Sequence, residues 1–89
     1  MKLKIINMFK TTESYLHLHA KRVLASWLAF DYERIVEEEQ FCMGGCIWFV
    51  PDLTCYNKNG IIDIYEVVHL CNVSLIKQLK MSIYFEIHN

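Results

Sequence analysis

Asp52 and Glu66 are the two residues of this chain best placed to do chemistry together. Thirteen residues separate them. Between them, Asn57-Lys58-Asn59-Gly60 has the composition of a hairpin turn, because Asn and Gly accept the positive φ that tight turns need. With a three-residue loop, Lys58-Asn59-Gly60, Asn57 pairs with Ile61 and Asp52 falls opposite Glu66. A two-residue loop shifts the register by one and leaves them neighbours. Opposed strand positions hold their Cβ atoms about 5 Å apart. Carboxylates at that range repel unless one takes a proton or a cation sits between them. Acidic oxygens supplemented by water suit Mg²⁺, or Mn²⁺ in its place, and such an ion activates water and polarises a phosphoryl oxygen. The plainer reading makes each acid a solvated strand-end residue. Glu66 fits that reading less well, because it lies mid-strand among Ile64, Val67 and Val68.

The elements that must hold these acids follow from periodicity. Residues 1–10 read as a short strand or a loose arm. Thr11 and Thr12 offer a hydroxyl cap to a helix from Glu13 to about Phe30, whose apolar positions are Leu16, Ala20, Val23, Leu24, Trp27 and Leu28. Arg34 to Gln40 reads as a strand that ends in Glu37-Glu38-Glu39. Gly44-Gly45 marks a turn. A second strand starts at Ile47 and runs through Pro51 to about Tyr56, with Pro51 at a bulge or an unpaired edge. A third strand covers Ile61 to Leu70 and is apolar on both faces, which places it centrally in a sheet covered by helices. Asn72 caps a short helix with the stripe Leu75, Ile76 and Leu79. Ile83, Phe85 and Ile87 then alternate as a last strand, parallel to the third by the crossover rule. The expected fold is α/β: helix, three strands, helix, strand, with a mixed sheet, in one domain spanning residues 1–89.

Composition narrows the function classes. The chain is 54% hydrophobic and 13% aromatic, so it is not a disordered segment. Its net charge of −1 gives no basic surplus of the kind a nonspecific nucleic-acid binder carries, although a local basic patch is compatible with that balance. No stretch approaches the ~18 apolar residues of a membrane span, and the apolar run after Lys2 and Lys4 is shorter than the pattern expected of a signal peptide. The expectation is a cytoplasmic protein with reduced thiols at Cys42, Cys46, Cys55 and Cys71. Cys42 and Cys46, with His69 and Cys71, have a weak zinc-like spacing; idle thiols are the commoner outcome.

Pro51-Asp52 followed by Glu66-Val67-Val68 resembles the signature of the PD-(D/E)XK nuclease superfamily. Within it the likeness is to the nuclease-like domain of the competence protein CoiA and related domains. It includes His17-Leu18-His19-Ala20-Lys21 and Trp27-Leu28, then Pro51-Asp52-Leu53-Thr54, Ile64-Tyr65-Glu66-Val67-Val68-His69, Lys77 and Phe85-Glu86-Ile87. The resemblance implies a restriction-endonuclease-like core and a Mg²⁺-dependent hydrolase acting on DNA or another nucleic acid, with Asp52 and Glu66 as catalytic metal ligands. Glu13, His17 and Lys21 lie along one line of the first helix. In that light Glu13 is a further metal ligand, and His17 and Lys21 are substrate contacts. The family's lysine two residues after the glutamate is Val68 here, so Lys21 or Lys77 must supply its cation. If neither does, the chain is an inactive remnant of the same fold that acts as a binding module.

Overall fold

The computed structural model describes residues 2–7, 14–68 and 74–88. In chain order the elements are β1 (Lys2–Asn7), α1 (Ser14–Leu28), β2 (Arg34–Glu37), β3 (Phe41–Met43), β4 (Cys46–Phe49), β5 (Leu53–Tyr56), β6 (Ile62–Val68) and α2 (Leu75–His88). The protein is mixed α/β, with a four-stranded sheet in the order β1-β6-β5-β2 and a separate β3–β4 ribbon.

The hairpin that carries the acids forms as its turn residues dictate. Gly60 takes φ +79°. Its N–H donates to the Asn57 carbonyl at 3.1 Å, and the Asn57 N–H donates to the Ile61 carbonyl at 3.1 Å. The Asn57 side chain braces the loop by accepting the Asn59 and Ile61 N–H groups at 2.9 and 3.0 Å. This is the three-residue loop, and it sets Tyr56 against Ile62 and Leu53 against Tyr65. Gly44 and Gly45, both at positive φ, make the tight turn between β3 and β4.

β6 is central and covered on both faces, as its double-sided hydrophobicity requires. On one face Tyr65 and Val67 pack with Leu53, Cys55 and the α1 residues Ala20 and Leu24. On the other, Ile64 packs with Phe41, Phe49 and the α2 residues Met81 and Phe85. α1 therefore covers one side, and α2 with the β3–β4 ribbon covers the other.

Several expectations need correction. Residues 83–87 are helical, the last turns of α2. Met81 and Phe85, four apart, reach the core, and no Gly or Pro interrupts residues 75–88 to stop the helix. The strand parallel to β6 is instead β1, in the register Lys2↔Asp63 to Asn7↔Val68. The segment through Pro51 is two strands in different sheets, divided at the buried Pro51 and at Asp52, because Pro has no N–H to continue a ladder. Finally, Trp27 is 62% exposed, and Leu75, Ile76 and Leu79 lie on the outer side of α2 with Ile83 and Ile87. The expected strand ending at Gln40 stops at Glu37. Residues 69 and 70 of the third strand lie outside the described residues.

A polar knot ties β1 into the sheet. Lys4 Nζ donates to Tyr65 Oη at 3.1 Å and lies 3.6 Å from Asp63 Oδ2. The Tyr32 hydroxyl donates to Asp63 Oδ2 at 2.5 Å and sits 3.0 Å from Tyr65 Oη. The Tyr65 hydrogen bond holds the Lys4 ammonium above its usual pKa, against partial desolvation. Burial, then the bond to Asp63, pushes the Tyr32 phenol up. Tyr32→Phe removes the shared hydroxyl and is expected to cost about 1–3 kcal/mol, the range for breaking a partly buried polar network. Urea denaturation of the two proteins checks this.

Candidate active site

Asp52 sits immediately before β5, at the break from β4, and continues the hairpin register opposite Glu66. Directly opposed residues share a face of the sheet, so both acids project towards the α2 side, in line with Ile64. Two backbone contacts fix Asp52. Its carboxylate Oδ2 accepts the Val67 N–H at 2.7 Å, and its carbonyl accepts the Glu38 N–H at 3.1 Å. Glu38 adopts φ +50° to end β2 there.

Glu66 is buried, at 4% exposure, in the middle of the central strand. The Lys77 ammonium, in the first turns of α2, lies 2.8 Å from its Oε1. At that distance the ammonium serves as both counter-ion and hydrogen-bond donor to the buried carboxylate. Among the described residues, Thr54 Oγ1, on the same face of the hairpin, is buried without a hydrogen-bond partner. Burial is the largest influence on the Glu66 carboxyl and pushes its pKa up to about 7. The Lys77 ammonium opposes that rise, and the charge and hydrogen-bonding reach of Asp52 add to it. A group balanced near neutrality inside a like-charged pair is a recurrent property of functional carboxylates.

Lys21 belongs to the other side of the sheet. It is buried in α1, and its Nζ lies 3.4 Å from the exposed Glu38 carboxylate. Of the two candidate lysines, Lys77 is the one the geometry brings onto Glu66. His17 falls within α1, and Glu13, His69 and Cys71 lie outside the described residues. Cys42 and Cys46 are exposed free thiols on the β3–β4 ribbon, and Cys55 is a buried free thiol. Burial pushes the Cys55 thiol up to about 11, which makes it inert. Among the described residues no three His, Cys, Asp or Glu side chains gather as a metal-binding group.

The donor set is therefore two hard carboxylates beside one ammonium. That set suits a divalent ion that keeps several waters and does not suit zinc, which prefers closed nitrogen or sulfur sites. Sequence reasoning missed the cleft next to this trio, where Trp48 and Lys80 lie beside Lys77. The signal was present in the spacing of Lys77 and Lys80, three apart on a helix and so on neighbouring positions of one face. Comparison of the chain with protein-family models, curated proteins and solved structures gave no match.

Proposed function

We propose that this domain is a metal-dependent nucleic-acid phosphodiesterase of the restriction-endonuclease-like type, with Asp52 and Glu66 as ligands to Mg²⁺ or Mn²⁺. The observation that carries the reading is the meeting of Asp52, Glu66 and Lys77 at one end of the central hairpin. A bound divalent ion would supply an activated water and charge neutralisation at the phosphoryl group. Asp52 is held for this role by the Val67 N–H. Lys77 provides the cation that Val68 lacks, approaching from α2 instead of from the strand. It pairs with Glu66 and also borders the adjoining cleft, so the same ammonium can hold a phosphate oxygen with or without a bound ion.

A specific observation favours a second reading, in which the domain is an inactive relative that binds a partner. The carboxylates are already engaged: Lys77 neutralises Glu66, and Asp52 accepts the Val67 N–H. Thermal unfolding with Mn²⁺ separates the two. The active-site reading expects Mn²⁺ to raise Tm, because a ligand that binds only the folded state stabilises it. Asp52→Asn is expected to remove that rise without unfolding the protein, since the Asn side-chain oxygen still accepts the Val67 N–H. Absence of any shift up to millimolar Mn²⁺, with no heat of binding in calorimetry, decides for the inactive module.

A further inference from the structure

A cleft of ≈280 Å³ opens between β4 and the start of α2, lined among others by Trp48, Ser74, Ile76, Lys77 and Lys80. It shares Lys77, the ion-pair partner of Glu66, with the carboxylate site. The cleft has three features of a site for a nucleotide. Its aromatic wall is fixed: the Trp48 indole N–H donates to the Lys80 carbonyl at 2.9 Å, so the ring needs little ordering on binding. Its charge is positive at two points, Lys77 and Lys80, in a chain with no overall basic surplus. Its floor is the first turn of α2, where Ser74 Oγ accepts the Lys77 N–H at 3.1 Å and the helix dipole favours an anion.

We propose that this cleft is a nucleotide subsite, holding one base against Trp48 and its phosphate between Lys77 and Lys80, and that the substrate is accordingly single-stranded. The proposal rests on the phosphodiesterase reading and names its substrate class. The Lys80 ammonium lies 4.9 Å from the centre of the indole ring. A base stacked on an aromatic ring is worth at least as much as the partly exposed cation–π contact it displaces. Stacking therefore wins the ring and frees Lys80 for the phosphate. A base inside a duplex has both faces covered and cannot reach the indole, which is why an unpaired strand fits.

The test is binding of a short thymidine oligonucleotide in EDTA, so that no divalent ion takes part. In Trp27→Phe protein, whose altered residue is exposed, Trp48 fluorescence is expected to quench as the oligonucleotide is added. Polarisation of labelled oligonucleotide is expected to show affinity weakened about tenfold or more by Trp48→Leu, the scale of one base–aromatic stack. Lys80→Glu, at a partly buried helix position and with an unchanged far-UV circular dichroism spectrum as the folding control, is expected to weaken it comparably and to leave the Mn²⁺-induced rise in Tm in place. Failure of the oligonucleotide to quench Trp48 at millimolar concentration overturns the proposal. So does equal binding of a blunt duplex, equal quenching by a heparin fragment, or unchanged affinity in Lys80→Glu. The two readings fail separately. Oligonucleotide binding without a Mn²⁺ shift leaves the subsite and removes the metal site, and a Mn²⁺ shift without oligonucleotide binding does the reverse.

Discussion

Phe85→Ala is expected to lower stability by about 3–5 kcal/mol, whereas Ile83→Ala and Ile87→Ala should each change it by less than ~1 kcal/mol. Phe85 is 5% exposed and meets Phe41, Phe49 and Tyr84 with ring centres 5.3–6.0 Å apart. Its removal leaves a large cavity under α2. Ile83 and Ile87 are 43% and 64% exposed on the opposite side of the helix. The contrast depends on secondary structure. In a strand, residues 83, 85 and 87 share a face and all three substitutions would be costly together. In a helix only residue 85 is, along with Met81 four positions earlier. A domain of this size is only marginally stable, so Phe85→Ala is expected to be largely unfolded at 37 °C. Circular dichroism melts of the three variants check the whole set.

The second large effect is a fall in stability with rising pH that depends on Glu66. Its carboxyl titrates near 4.5 in the unfolded chain and at about 7 in the folded protein, with burial as the first cause. Between those values the folded state holds the proton more tightly than the unfolded state. The stabilisation is therefore complete below pH ~4.5 and is lost as pH rises to ~7. At about 1.4 kcal/mol per pH unit the loss is on the order of 3 kcal/mol, or more than ~10 °C in Tm. Glu66→Gln is expected to flatten this decline and to melt higher than the wild type at pH 8. Lys77→Met is expected to do the opposite, because it leaves the buried carboxylate without its cation. Under the metal reading, Mn²⁺ competes with the Glu66 proton, so the Mn²⁺-induced rise in Tm should be larger at pH 8 than at pH 6.

The parts of the fold that were legible in the sequence are those set by neighbours along the chain. Asn57 and Gly60 specify a three-residue turn, and that turn alone places Asp52 opposite Glu66. Ala20 and Leu24 are one helical turn apart and mark the buried side of α1. The parts that were not legible depend on distant segments. Ile83, Phe85 and Ile87 alternate, while Met81 and Phe85 are spaced for a helix; only the occupied edge beside β6 decides between the two patterns. That edge belongs to β1, whose pairing no local pattern specifies. Trp27 keeps helical phase with Ala20 and Leu24 but lies near the C-terminal end of α1, where it is 62% exposed. Within the site, Lys77 was one of two lysines eligible to replace the missing strand cation. The choice between them needed to know that α1 and α2 cover opposite faces.

The docking of β1 on β6 carries a consequence for how the chain assembles. Partners across that ladder, such as Lys4 and Tyr65, are 61 residues apart. The β5–β6 ribbon closes over a short loop, whereas β1 gains nothing until almost the whole chain has condensed. Loop-closure entropy and the cost of non-local pairing then order the events. On these grounds the ribbon bearing Asp52 and Glu66 is expected to form early and the N-terminal strand to pair late. By the same logic β1 detaches first. Its backbone amides should exchange with deuterium well before those of β5, while the carboxylates remain in register on the intact ribbon.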